Sequence, residues 1–239
     1  MLRGRVYKSL FGGLVISFCS ISFAVSAKAA EPKFVSNAGC KCHMSKGCYE
    51  GEEYKERLHS NTWEKRLQGT ADEDNPECLK CHATAVGAKI KKKFGDKKYL
   101  PNVQCEACHG AGEEYEKVKK NYQGKGKDAF KELLKKDPLL ARKAQYDAGL
   151  IVAGINGPAT VKEQCLQCHW ESADAKNKCP KTDKVMDYKE YFKKDDHRDE
   201  DDIDLVIKKL SDADKKKWAD ILPKDDMLYL PYKKNIDGF

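Results

Sequence analysis

Val103-Gln104-Cys105-Glu106-Ala107-Cys108-His109-Gly110-Ala111-Gly112 is the stretch from which the rest of the chain can be read. Its centre is Cys-x-x-Cys-His. The same arrangement recurs at Cys78-Leu79-Lys80-Cys81-His82 and at Cys165-Leu166-Gln167-Cys168-His169, and a compressed relative stands at Cys40-Lys41-Cys42-His43. The chain has 6 histidines, and four of them directly follow a cysteine of these clusters, a distribution chance does not produce. On a helical turn, residues three apart share a face. Two sulfurs so placed can bond the two vinyl groups of one porphyrin, and the next histidine can reach the iron. Cys-x-x-Cys-His is the attachment signal for haem c, with the histidine as proximal ligand. The pattern predicts thioethers from Cys78, Cys81, Cys105, Cys108, Cys165 and Cys168, and proximal ligation by His82, His109 and His169.

Two other uses of cysteine compete with haem attachment. The spacing of Cys78/Cys81 and Cys105/Cys108 also suits a zinc ribbon. Zinc, however, needs no histidine after each second cysteine, and it would leave Cys165 and Cys168 without partner cysteines of similar spacing. A disulfide framework is the default for an exported cysteine-rich chain, yet it too leaves the histidines unexplained.

The compressed cluster is different. Cys40 and Cys42 are two apart, about 200° around a helix, so two thioethers to one haem would require a bent turn. The expected arrangement is one thioether through Cys42, with His43 proximal and Cys40 left over for a disulfide with Cys48 or Cys179. Loss of the haem at this site is the alternative. Haem c is thus the expected cofactor, with three groups firm and a fourth resting on Cys42 and His43.

His59 and His197 follow no cysteine. Low-potential multihaem proteins need a second axial ligand for most irons, and imidazole is a usual one. His59 falls in a helix-like stretch from Glu52 to Leu67, a rigid carrier for a distal ligand; His197 lies in a charged stretch. Four bis-histidine haems would need eight histidines. With six, at least two irons must be five-coordinate, take another ligand, or be completed by a second subunit.

Arg3, Arg5 and Lys8, the apolar run from Leu10 to Val25, and Ala27-Lys28-Ala29 read as a secretory signal over residues 1–29 with its cleavage site. The apolar run is shorter than the ~20 residues that span a bilayer comfortably, and no later stretch is apolar enough to cross one. The expected location is the periplasm or another extracytoplasmic space. The formal charge of +7 falls to +3 without the four basic residues of that segment, and haem propionates would lower it further. No nucleic-acid partner is inferred. The lysine-rich run Lys89–Lys98 reads as a solvated loop.

Charged residues make up 35% of the chain and mean hydropathy is −0.74. So polar a sequence does not build a large conventional core, unless bound haem fills its centre. Helices are expected over Glu113–Asn121, over Ala129–Leu150 with a break at Pro138, and over residues 201–221, with loops at Gln123–Lys127 and Gly154–Ala159. The fold class is mainly α with long irregular loops around covalent haems. The haem domain is expected over residues 30–200, with a C-terminal helical extension over 201–239 whose apolar end, Met227–Tyr232, packs on the haem core or a partner.

At its motifs the chain resembles the cytochrome c-554 family of tetrahaem cytochromes, over roughly residues 38–200. The carrying residues are Cys78-x-x-Cys81-His82 with Gly87 downstream, Val103 to Gly112, and Cys165-x-x-Cys168-His169; Cys-Glu-x-Cys-His-Gly-x-Gly is the most specific. The resemblance implies that His59 is distal ligand to the haem of His109, that His197 completes the haem of His169, and that the haem of His82 is five-coordinate. The family's first haem takes a histidine shortly after the third motif. Here Glu113 to Lys127 contains none, and the first attachment motif is itself altered.

The expected function is electron transfer between redox partner proteins, not catalysis. One rival is a reductase of small nitrogen oxides at an open iron. The other is a haem-wire subunit of a homo-oligomer, larger complex or filament, with missing ligands supplied across an interface.

Overall fold

The computed structural model describes residues 31–40, 44, 49–151, 161–195, 211–217 and 219. Cys42, His43, Cys48, His197, the loop at 154–159, the apolar end at 227–232 and the signal segment lie outside the described residues.

The architecture is a run of short helices joined by irregular chain. The stretch expected as one helix around His59 is three pieces: α1 (Tyr49–Glu56), a 3-10 turn (Leu58–Asn61) and α2 (Thr62–Arg66). His59 sits on the 3-10 turn, whose carbonyl accepts from Val103 N at 3.1 Å. Next come α3 (Pro76–His82), α4 (Cys105–His109), α5 (Glu113–Lys120), α6 (Lys127–Lys136) and α7 (Pro138–Asp147). The break expected at Pro138 is real: Pro138 opens α7, and Asp137 caps it, Oδ1 accepting from Leu140 N at 3.0 Å. α8 (Val161–Cys165) and α9 (Tyr188–Asp195) follow, and Asp212–Lys217 is the described helix of the expected C-terminal extension. Strands are minimal. β1 (Ala83–Thr84) pairs antiparallel with β2 (Leu100–Pro101), and one parallel bridge joins Phe34 to Ile90.

The apolar core is small. Trp63, Leu67, Leu79, Ala83 and Tyr99 form one buried cluster, uniting α2, α3 and the β pair. Lys97 covers it, Nζ 5.2 Å from the Trp63 ring centre and 5.4 Å from that of Tyr99, while pairing with Glu73 at 2.8 Å and Asp74 at 3.0 Å. α5, α6 and α7 pack on one another separately, with Phe130, Leu139, Ala141 and Tyr146 buried.

What ties residues 35–37 to the middle of the chain is polar. Glu106, 1% exposed, accepts from three backbone N–H groups: Val35 at 2.8 Å and Gly112 at 2.6 Å on Oε1, and Ser36 at 2.7 Å on Oε2. Asn37 N donates to Gln104 Oε1 at 2.9 Å beside them. A buried carboxylate is tolerated because it is satisfied in this way. Glu106→Gln should therefore lower stability by about 1–3 kcal/mol despite its matched size, because its amide nitrogen would face a donor. Denaturant unfolding of the full chain measures this, and an unchanged midpoint would show that the Glu106 cradle does not carry the fold.

Candidate functional site

Each intact Cys-x-x-Cys-His motif lies on a helical turn, as two-point attachment requires. α3 carries Cys78, Cys81 and His82; α4 carries Cys105, Cys108 and His109. α8 ends at Cys165, but its turn continues: Cys168 N and His169 N both donate to Cys165 O, at 3.1 and 2.9 Å. Asn75 and Pro76 start α3, Asn75 Oδ1 accepting from Glu77 N at 3.1 Å.

The histidines of two motifs are oriented through one ring nitrogen. His82 Nδ1 is 2.9 Å from Thr62 Oγ1, and His109 Nδ1 is 2.9 Å from Ile151 O. With the Nδ1 hydrogen directed at these oxygens, Nε2 becomes the basic atom, the tautomer an iron ligand needs. Burial and the nearby Arg66 also push the His82 imidazolium below its ordinary range, which favours the neutral ring. His109 is held at two points, since Ile151 N donates back to His109 O at 2.9 Å. Thr62 and Ile151 were not singled out in the sequence, where only a short polar or carbonyl-bearing position is needed and many residues supply one.

The motifs converge. Gln164 Nε2 donates to Ala107 O at 3.1 Å, joining α8 to α4. Cys168 Sγ donates to Lys80 O at 3.7 Å, which joins the Cys165–His169 turn to α3 beside Cys81. Cys40 likewise lies beside Cys105. Within each pair one thiol is driven down and the other up. The neighbouring Cys168 thiol lowers Cys81 and is itself raised, while the neighbouring Cys40 thiol lowers Cys105 and is itself raised.

Among the described residues no three of His, Cys, Asp and Glu converge on one metal point, and all 8 described cysteines are unbridged. Cys40, expected as a disulfide partner of Cys48 or Cys179, lies against Cys105, while Cys179 stands near Cys78. Helical presentation of paired sulfurs, with a histidine held by Nδ1, fits haem c.

His59 stands with its ring centre 6.0 Å from that of His169, which in turn meets Tyr191 edge-on at 5.3 Å. The resemblance had set His59 over the haem of His109. In the fold its ring lies beside that of His169, while its carbonyl accepts from Val103 N near the third motif.

The Cys-Glu-x-Cys-His-Gly-x-Gly segment owes its character to packing. Glu106 is the buried acceptor described above. Gly110 has φ 77° and ψ 173°, a region open essentially to glycine alone, and a Cβ there would lie 3.2 Å from Gly149 O and from Ile151 Cδ1. A Cβ on Gly112 would lie 2.8 Å from Val35 and 2.9 Å from Glu106. Gly110→Ala should cost about 1–3 kcal/mol and release the His109–Ile151 clasp; thermal unfolding and hydrogen exchange at Ile151 N report both effects.

Among the described residues no helix is long and apolar enough to cross a membrane. No curated protein and no solved structure matches the chain. Residues 38–110, which hold the compressed cluster, His59 and two of the three intact motifs, match the family described as cytochrome c554 and c-prime, and over this segment the chain is similar to that family.

Proposed function

We propose that the protein is an exported multihaem cytochrome that relays single electrons between redox partners outside the cytoplasm. Three haems are assigned to Cys78/Cys81, Cys105/Cys108 and Cys165/Cys168, with His82, His109 and His169 as proximal ligands, and a fourth to Cys42 and His43. The observation that supports this reading is the approach of two intact motifs: Cys168 Sγ donates to Lys80 O at 3.7 Å, beside Cys81. Attachment points so close would place separate redox groups at adjoining edges, as a relay requires. Haem supplies one-electron chemistry when bound. The chain's own residues set spacing through the helical turns and tune potential through what each histidine contacts.

His59 is assigned as distal ligand on the iron of His169. The two ring centres lie 6.0 Å apart, a separation at which both imidazoles would be able to hold one iron between them. His197 remains a distal candidate outside the described residues. Among the described residues His59, His82, His109 and His169 are all taken as ligands by this assignment, so no histidine is left to complete the iron of His82.

Intact mass after expression in a host that matures haem c, followed by a potentiometric titration, tests the reading. Three or four covalent haems, each titrating as a one-electron step, are expected; a mass without haem refutes it. Cys165→Ala with Cys168→Ala should remove one haem from that mass. In the loaded protein, His59→Met should raise the potential of one haem and alter its low-spin optical and magnetic signature, because a thioether ligand favours the reduced iron. Thr62→Val should raise the potential of a different haem, since loss of the acceptor at Nδ1 makes His82 a less basic ligand.

A further inference from the structure

The run Lys89–Lys98 is the sequence feature that the haem sites leave unused. The structure pins it at both ends. Phe34 N donates to Lys89 O at 2.9 Å and Lys91 N donates to Phe34 O at 2.8 Å, while Leu100 pairs with Thr84. Lys97 turns inward to Glu73 and Asp74. Lys89, Lys91, Lys92, Lys93 and Lys98 point outward, with Phe94 57% exposed among them.

Many helical lysines have a carboxylate one turn away, as in Lys80–Glu77, Lys117–Glu114, Lys135–Glu132 and Lys143–Asp147. In the loop, Lys91 reaches Glu116 at 4.0 Å, and among the described residues no carboxylate lies within ion-pair distance of Lys89, Lys92, Lys93 or Lys98. Among the described residues their mutual repulsion is only partly offset, by Asp96 in the loop and Glu116 near Lys91, and a partner's negative charge would relieve the rest.

Position matters as much as charge. A cavity of about 220 Å³ is bounded by Asn37, Ala38, Lys92, Lys93, Phe94 and Gln104. Gln104 immediately precedes Cys105, and Cys105 N donates to Asn37 Oδ1 at 3.4 Å. The cationic loop therefore abuts a thioether cysteine.

We propose that the Lys89–Lys98 loop docks an acidic electron-transfer protein against the redox group at Cys105. The inference rests on the electron-carrier reading. A ring of cations around one exposed aromatic has the anatomy of a transient protein interface, with a polar rim and an aromatic anchor. An extended polyanion, such as an anionic bilayer or a nucleic acid, is disfavoured. The chain from residue 30 onward has a formal charge of only +3, and haem propionates turn the loaded molecule negative outside the patch. A small acidic partner meets only the local field.

The test uses the haem-loaded full chain with a small acidic flavodoxin as probe, binding being followed by calorimetry and electron exchange by stopped flow. Raising ionic strength from about 0.01 to about 0.15 M shortens the screening length from about 30 Å to about 8 Å. This should weaken binding and slow exchange by about tenfold or more. Lys92→Glu with Lys93→Glu should do the same at low salt, and Phe94→Ala should speed dissociation while leaving the salt dependence in place. Lys131→Glu with Lys135→Glu on α6 should change neither measurement by more than about twofold. Salt-independent binding, an equal loss in the α6 pair, or loop-lysine-dependent retention on phosphatidylserine vesicles without any effect on flavodoxin would overturn the inference. Reduction by dithionite separates the two levels. Variants that lose exchange but still reduce fully report on docking, whereas a chain without reducible haem defeats the electron-carrier reading itself.

Discussion

One buried carboxylate organises the centre of this protein. Glu106 lies inside a Cys-x-x-Cys-His turn, with Cys105 on one side and Ala107-Cys108-His109 on the other, and its two oxygens take the N–H groups of Val35, Ser36 and Gly112. The helix that presents two sulfurs is therefore also the post to which residues 33–39 are tied. That tie brings Cys40 onto Cys105 and lays Phe34 beside Lys89–Lys91. Leaving such a group unsatisfied away from water would cost several kcal/mol, so the three donors are a condition of its burial.

From the other end of α4 the same turn reaches into the rest of the chain. Gly110 lets the backbone leave the helix beneath Ile151, His109 is clasped by that residue, and Ala107 O receives Gln164 from α8. Little of this depends on apolar burial. The one compact cluster, around Trp63 and Tyr99, is capped by a lysine, and the remaining cohesion is a polar network joining short helices. For a chain with 35% charged residues, covalent attachment of a large apolar group at several points would supply the missing burial.

The two histidine anchors differ in kind. His82 faces a hydroxyl and His109 a backbone carbonyl. A carbonyl is the more constant acceptor, since a hydroxyl can rotate and also donate. Under the proposed assignment the two irons would therefore feel imidazoles of different basicity, giving a difference of potential from what each Nδ1 contacts.

Much of the site was legible in the sequence. Cys-x-x-Cys-His puts two sulfurs and an imidazole on one helical turn whatever surrounds it, so the three intact motifs, the break at Pro138 and the mainly helical class could be read from local spacing. The special character of Cys-Glu-x-Cys-His-Gly-x-Gly was visible too, though its cause was not: the acceptor role of Glu106 needs Val35 and Ser36, seventy residues away in the chain. Tertiary structure alone decided that His59 meets His169, that Cys40 meets Cys105, and that a lysine-rich loop is pinned beside that cysteine. The physical reason is range. Periodicity and turn chemistry act over a few residues, whereas which motifs adjoin is set by hydrogen bonds between segments that the sequence keeps far apart.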